Sequence, residues 1–169
     1  MGCSGWSYSA WKGPFYPSNL ESSEWLKHYS QVFDYVEIDS SFYRIPNQFM
    51  VKNWFSKTSD NFRFTAKYPK VITHDKHVVD VDKEVEVFLK NIEPLHKKTL
   101  ALLIQLPPSI ISCPWSVWVT YSNLIKLSLG TFPSFKKTMD MVVEEHLLDK
   151  AKQKAFVLLL FVCLLSFHS

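Results

Sequence analysis

Acid–base chemistry in this 169-residue chain could be carried by Glu37, Lys67 and His74, which stand at or just after the ends of predicted β-strands. Glu37 lies inside the apolar run 35–38, where an ionised side chain is costly unless it is paired. Lys67 would end the next strand, so we expect a Glu37–Lys67 ion pair, and a structural and a catalytic role are equally open. His74 is a candidate acid or base because histidine titrates near neutrality.

A second set of side chains follows the predicted strands and could contact a ligand. These candidates are Trp6, Tyr8, Ser41, Tyr43 and Gln105. The aromatic rings could stack on a sugar or a base, or could plug the mouth of a barrel, which is the favoured explanation for Trp11 and Phe42. Gln105 stands in an apolar run and needs hydrogen-bond partners, which a ligand or the main chain could equally supply.

Metal and cofactor motifs are weak in this chain. His74, Asp75 and His77 share one predicted loop, but no further ligand follows at a fixed spacing, and we predict no metal site. The sequence contains no phosphate-binding loop, nucleophile elbow or dinucleotide fingerprint, so it identifies no cofactor. Cys3 has no evident activating partner, which disfavours a nucleophilic role.

The elements that would position these residues alternate between strand and helix as far as about residue 109. Residues 2–11 are typical of a strand end followed by a loop. Further predicted strands cover 35–38, 62–66 and 100–106, and predicted helices cover 22–31, a segment from 47 and 82–95. Ser22 or Ser23 and Asn47 are the predicted caps of the first two helices. This alternation implies right-handed βαβ units and a parallel sheet. We therefore predict an α/β fold, the first four βα units of a TIM (β/α)8-type barrel, with the candidate residues on the rim at the strands' carboxyl ends.

The chain after Ser109 has a different composition. From 110 to 135 only Lys126 is charged, from 136 to 154 nine of 19 residues are charged, and from 155 to 169 none is. Helix signals occur between 134 and 154, but the alternation of strands and helices stops. We predict two regions, half a barrel over residues 1–109 and a divergent, irregular or helical tail over residues 110–169.

Composition also restricts the partners of the chain. A net charge of +3 and a pI near 8.7 permit an anionic ligand but fall short of the basic stripe of a nucleic-acid-binding protein. Three widely separated cysteines without a CxxC pair indicate a reducing compartment, and we expect a cytoplasmic protein. The longest apolar run, 155–165, is shorter than the about 20 residues that span a bilayer, so no membrane association is expected.

Several blocks of the first 109 residues together suggest a family. They are GCSGWSY at 2–8, WKG at 11–13, FYP at 15–17, VEIDSSFYR at 36–44, FRF at 62–64, Lys67, ITH at 72–74 and QLPPS at 105–109. In order and spacing these blocks resemble the YecE-like family, domain of unknown function 72. The resemblance implies a TIM barrel. The family occurs mostly in bacteria and archaea and has no established reaction, so whether the chain is an enzyme stays open.

The chain departs from the family at both ends. The family has a few strand residues before its first glycine, whereas Gly2 here follows Met1, and a full barrel has about 250 residues. A later Val-Glu-x-Arg-His pattern of the family is echoed only faintly by residues 143–146. We therefore expect a truncated or frame-disrupted member, and reading the encoding DNA in all three frames tests that expectation.

The leading functional hypothesis is a barrel protein whose full-length relatives bind a small polar or anionic ligand at the strand-end rim. Glu37 or His74 would be the acid or base, Lys67 an anion or oxyanion partner, and the aromatic rings a stacking surface. One alternative is a non-catalytic half barrel that dimerises or binds a partner through an open sheet edge. The other is a truncated product without a function.

Overall fold

Four parallel strands form the frame of the described part of the chain, which is residues 1–105 and residue 107 in a computed structural model. The strands are β1 (Gly2–Ser4), β2 (Tyr35–Ile38), β3 (Arg63–Lys67) and β4 (Thr99–Leu103). They lie in the order β1-β2-β3-β4, and each is parallel to its neighbour. The predicted α/β fold with a parallel sheet is confirmed for this part. The predicted tail, residues 110–169, lies outside the described residues.

Helices connect successive strands of this sheet. They are α1 (Trp25–Val32), the short α2 (Ser40–Tyr43), α3 (Gln48–Ser56) and α4 (Asp82–Ile92). Turns of 3-10 helix cover Ser9–Trp11, Ser22–Glu24 and Glu93–Lys98, and a π-helical turn covers Val71–Asp75. Because α1, α3 and α4 each separate two neighbouring parallel strands, the carboxyl ends of all four strands meet at one edge of the sheet.

The starts of the first two long helices differ in how their free N–H groups are satisfied. At α3 the prediction is confirmed, since the Asn47 side chain accepts a hydrogen bond from the N–H of Met50 at 2.9 Å. At α1 the prediction of a serine cap is wrong. The helix is entered through the 3-10 turn, where the N–H of Glu24 donates to the carbonyl of Glu21 at 2.9 Å, and no side chain caps α1.

The end of α4 follows from Pro94, which shortens the helix predicted to reach Leu95. A proline has no N–H to donate to the carbonyl four residues earlier, which here belongs to Lys90. The side chain of Gln48 on α3 supplies the missing donor, its Nε2 lying 2.9 Å from the Lys90 oxygen. The chain then continues as 3-10 helix to Lys98.

The core lies between the sheet and the helices and is rich in aromatic rings. Tyr16 stacks on Trp25 of α1 with 4.8 Å between ring centroids, and both are buried. Burial raises the pKa of Tyr16 to about 12, so its hydroxyl remains a donor, and it donates to the main-chain oxygen of Trp6 at 2.6 Å. This bond fixes the loop after β1 to the core and thereby positions the residues that follow the carboxyl end of β1.

Candidate functional site

The expected ion pair between Glu37 and Lys67 is present at the carboxyl ends of neighbouring strands. Ile38 of β2 lies opposite Ala66 of β3, so Glu37 and Lys67 stand one residue to either side of that pair. Lys67 Nζ lies 3.1 Å from Glu37 Oε1, and the two side chains are 23% and 22% exposed. The pair is therefore screened from bulk solvent but within reach of a small molecule.

Ser4 joins this pair, although the sequence analysis did not select it. Its hydroxyl donates to Glu37 Oε1 at 2.6 Å, the same oxygen that Lys67 contacts. Within the described residues, no hydrogen bond or ion pair reaches the other oxygen, Oε2, and it is not a buried orphan. The register that sets Ser4 opposite Glu37 would have revealed the contact. Among the described residues, one carboxylate oxygen thus has two partners and the other has none.

Tyr8 and Asp39 form a second polar contact beside the first. The Tyr8 hydroxyl lies 2.8 Å from the main-chain oxygen of Ser4 and 3.3 Å from Asp39 Oδ2. Burial, reinforced by the Asp39 carboxylate, raises the pKa of Tyr8, so the hydroxyl stays protonated at neutral pH. Asp39 was not among the selected candidates, and the signal for it is its position directly after β2.

Gly5 is required where β1 leaves the sheet. Its φ is +74°, in the left-handed region, and its N–H donates to the main-chain oxygen of Glu37 at 2.9 Å. A Cβ built on Gly5 would lie 2.5 Å from the Tyr8 hydroxyl oxygen. The close approach of Tyr8 to the strand ends therefore depends on a residue without a side chain.

His74 lies in the π-helical turn after β3, apart from the ion pair. Its Nδ1 is 2.8 Å from the Thr73 hydroxyl, and its ring packs edge-on against Phe42 with 5.0 Å between centroids. The described residues show no hydrogen bond or ion pair between His74 and either Glu37 or Lys67. The structure thus brings two of the three predicted acid–base residues together and leaves His74 on a neighbouring surface.

The loop that carries His74 contains strained backbone. His77, Val78 and Asp80 have φ values of 50°, 62° and 50°, which are unfavourable for residues with a side chain. Val78 is a β-branched residue, fully buried, and its N–H donates to the main-chain oxygen of Ile72 at 2.8 Å. Strain of this kind persists only where the surroundings hold it, and it occurs often at functional sites.

Ser41 lies inside the protein and not on the rim surface. It is fully buried, and its hydroxyl lies 2.6 Å from the Ile38 oxygen and 2.8 Å from the Lys67 oxygen. It also accepts a hydrogen bond from the Lys67 N–H at 3.1 Å. Ser41 therefore ties the ends of β2 and β3 together, and its hydroxyl has no face open to a ligand.

Gln105 corrects the predicted fourth strand. We expected it to be buried within a strand covering 100–106, but β4 ends at Leu103, and Gln105 is exposed beyond it. The strand is shorter because its buried run ends with Ile104. Gln105 still follows the carboxyl end of β4, and its predicted ligand contact stays a prediction.

The aromatic candidates divide into packed and exposed rings. Trp6 is half-buried and meets Trp54 of α3 edge-on at 5.5 Å, so it contributes to packing. Trp11 is also half-buried, and it contacts Tyr8 at 4.9 Å. Tyr43 is 76% exposed. Tyr8 and Tyr43 are thus the rings of the candidate set that are open to a ligand.

The described residues contain neither a cluster of metal-ligating side chains nor a membrane-spanning helix. No group of three or more His, Cys, Asp or Glu side chains in this part of the chain could hold a metal ion. Asp75, the carboxylate between the two histidines, instead lies 3.5 Å from Lys70 Nζ. No helix among the same residues is long and apolar enough to cross a membrane.

Comparison with known proteins identifies the family. The family model described as "Protein of unknown function DUF72" matches residues 1–123, more than half of the chain. The chain belongs to the DUF72 family. This confirms the resemblance of its sequence blocks. The family's description names no reaction, so the site has to be interpreted from its geometry.

Relatives of this DUF72 chain are bacterial. It is 33% identical over 82 residues to the UPF0759 protein YecE of Escherichia coli K12, covering 48% of this chain and 30% of YecE. It is 32% identical over 114 residues to the UPF0759 protein YunF of Bacillus subtilis 168, covering 64% of this chain and 39% of YunF. The matches thus span about a third of the length of these curated relatives.

Solved structures of the family have a similar fold. A crystal structure of a DUF72 protein from Thermotoga maritima superposes with a TM-score of 0.59 at 30% identity, covering 78% of this chain and 51% of that one. One from Enterococcus faecalis gives a TM-score of 0.59 at 23% identity, covering 75% and 46%. The second likeness supports the fold alone.

Proposed function

We propose that the carboxyl-end edge of this sheet binds a small polar ligand, with Glu37 and Lys67 as its central contacts. The observation that carries the proposal is the convergence of Ser4 and Lys67 on one oxygen of Glu37, which leaves Oε2 as a fixed acceptor beside an ammonium donor. A few convergent polar groups with aromatic neighbours at the carboxyl ends of parallel strands are typical of ligand sites.

The same arrangement could support an acid–base step. Glu37 Oε2 would accept a proton from a bound hydroxyl, and Lys67 would stabilise the negative charge that develops on the oxygen. His74, on its strained loop, is a further candidate acid or base, and movement of that loop would be needed to bring it to the ligand. Binding is the proposal's first claim, and catalysis depends on it.

We also propose that these residues form the first four βα units of a TIM-type barrel. Support comes from the sequential parallel order of the strands and from the helix on each connection. In such a barrel the strand-end edge is the place where sites are built. The proposed barrel and the proposed ligand site are therefore consistent with each other.

Thermal unfolding of the full chain tests the ligand site. The probes are inorganic phosphate, D-glucose, D-ribose and adenosine monophosphate, each titrated against the parent and against Glu37→Gln and Lys67→Met. A probe at ten times its Kd stabilises by about 1.4 kcal/mol, which raises Tm by roughly 3–6 °C. We expect at least one probe to produce this shift in the parent and in neither variant.

The control is Lys57→Met, which breaks another ion pair. Lys57 Nζ lies 2.9 Å from Glu24 Oε1, and Lys57 follows α3, toward the amino ends of the strands. Its Tm shift with the probe should equal that of the parent. If every probe leaves the parent's Tm unchanged, or if Glu37→Gln keeps the full shift, the proposed site is wrong.

Self-association through a sheet edge is the second candidate. Among the described residues, β1 pairs only with β2 and β4 only with β3, so each has one edge without a strand partner. Such edges present unpaired main-chain groups to another chain. A non-catalytic, self-associating protein is favoured over a ligand-binding one if dimers form and no probe binds.

A further inference from the structure

We infer that the ligand of this edge is a neutral compound carrying adjacent hydroxyl groups, such as a sugar, and not a phosphate or another anion. This inference rests on the proposed function, because it concerns the same site at Glu37 and Lys67. The sequence suggested a small polar or anionic ligand, and this inference keeps the neutral polar class and excludes the anionic one. Three features of the strand ends support it: their charge, their free hydrogen-bonding groups and their exposed rings.

The charges of Glu37, Asp39 and Lys67 disfavour an anion. Lys67 is already paired with Glu37 at 3.1 Å, so its positive charge is compensated within the protein. Asp39 adds a carboxylate two residues after Glu37, and its hydrogen-bond donor, Tyr8, is neutral. Glu37, Asp39 and Lys67 together carry one net negative charge, which a phosphate would have to approach.

The free hydrogen-bonding groups match a pair of hydroxyls. Within the described residues, Glu37 Oε2 accepts no bond and the Lys67 ammonium, which has three N–H donors, has Glu37 as its one partner. A carboxylate oxygen can only accept. A hydroxyl both donates and accepts, so neighbouring hydroxyls satisfy the carboxylate and the ammonium together. A fully ionised phosphate group cannot donate to Oε2 and would leave that oxygen without a partner.

The exposed rings offer an apolar surface beside these polar groups. The Tyr8 hydroxyl is 2.8 Å from the Ser4 carbonyl, and the Ser4 side chain donates to Glu37, so Ser4 links the hydroxyl end of this exposed ring to the carboxylate. The C–H faces of a sugar pack against aromatic rings while its hydroxyls reach the polar groups. A protonated amine would be attracted to the carboxylates. It would, however, have to displace Lys67 from Glu37 or bind beside the Lys67 ammonium, which carries the same charge.

Binding titrations on the full chain separate the ligand classes. The probes are D-glucose and D-ribose, glucose 6-phosphate and ribose 5-phosphate, inorganic phosphate and putrescine. We expect a neutral sugar to bind saturably and its phosphate ester to bind at least tenfold more weakly. Affinity for the neutral sugar should change less than about twofold between about 50 mM and about 500 mM salt, because no net charge is neutralised on binding.

Asp39→Asn and Asp60→Asn form a matched pair for the charge argument. Asp39→Asn removes one negative charge at the site and should narrow the gap between sugar and sugar phosphate about threefold or more. Asp60 is exposed and lies before β3, toward the other end of the sheet, so Asp60→Asn should leave the gap unchanged.

Each contrary result has a defined meaning. If phosphate esters, inorganic phosphate or putrescine bind more tightly than the neutral sugars and lose affinity in Lys67→Met or Glu37→Gln, the site stands and this inference is overturned. If none of the probes binds the parent, both the inference and the proposed ligand site are overturned.

Discussion

At the residue scale, Glu37 is the side chain on which the polar contacts of the strand ends converge. The Ser4 hydroxyl donates to its Oε1 and the Lys67 ammonium forms an ion pair with the same oxygen, which holds the carboxylate in one orientation. An ion pair that is about one-fifth exposed contributes little net stability, since desolvation offsets much of the attraction. Its geometry is thus better explained by orientation of the carboxylate than by stabilisation of the fold.

Lys67→Met should destabilise the chain by about 1 kcal/mol, because it leaves the Glu37 carboxylate without its cation. The double variant Glu37→Gln/Lys67→Met should recover most of that loss, since no unpaired charge remains. Urea unfolding of the four proteins measures the coupling. Additive losses would mean that the two side chains do not interact in solution.

Gly5→Ala should cost about 2 kcal/mol or more, the sum of a left-handed backbone and a clash with Tyr8. Gly13 is the matched control, because its φ is +99° and no atom lies within 4 Å of the position that an alanine methyl group would take there. Gly13→Ala should therefore cost only the backbone term. In a Tyr8→Phe background the cost of Gly5→Ala should fall toward that of Gly13→Ala, and an unchanged difference would contradict the close approach of the hydroxyl.

At the element scale, the end of α3 is held to the sheet by a buried lysine. Lys98, directly before β4, is 2% exposed, and its Nζ donates to the main-chain oxygens of Phe55 and Thr58 at 2.9 and 2.8 Å. It also lies 4.0 Å from the centroid of the Phe55 ring. Burial lowers the pKa of Lys98. A single side chain thus satisfies carbonyls at a helix end and fixes α3 relative to β4.

Lys98→Met should destabilise the fold by about 2 kcal/mol, because it leaves the Thr58 carbonyl buried without its donor and removes a donor from the Phe55 carbonyl. Its exposed neighbour provides the control, and Lys97→Met should change stability by less than about 0.5 kcal/mol. Chemical denaturation of both variants tests the difference. Equal midpoints for Lys97→Met and Lys98→Met would show that the buried contact does not stabilise the protein.

At the scale of the whole molecule, the described four-stranded sheet has two edge strands, β1 and β4. The matches span about a third of the length of the curated relatives and about half of the length of the solved family structures. In a parallel barrel each strand has two strand neighbours, which β1 and β4 do not have among the described residues. Edge pairing between copies would supply main-chain partners.

Size-exclusion chromatography with light scattering should therefore show a mass that rises with protein concentration. Amide exchange of β4 should slow over the same concentration range, because pairing protects the N–H groups of an edge strand. A constant monomer mass with fast, concentration-independent exchange at β4 would exclude self-association through that edge.

Much of the local structure was predictable from the sequence, because it depends on short-range patterns. Apolar runs and helical periodicity located the strands and helices, and Asn47 identified one helix start. The cost of an unpaired charge in a strand predicted the Glu37–Lys67 pair. Boundaries were less accurate where a neighbouring element decides them, as at the end of α4. Pro94 cannot donate to the Lys90 carbonyl, and Gln48 of another helix donates to it instead.

The sequence by itself thus determined the family, the alternating elements and the central ion pair of the candidate site. Only the tertiary structure decided that Ser4 meets Glu37, that Tyr8 reaches Asp39, that Ser41 is buried and that Gln105 is exposed. The physical reason is strand register. A shift of one residue would turn each side chain to the other face, and the contacts that set the register join residues about 30 positions apart in the chain.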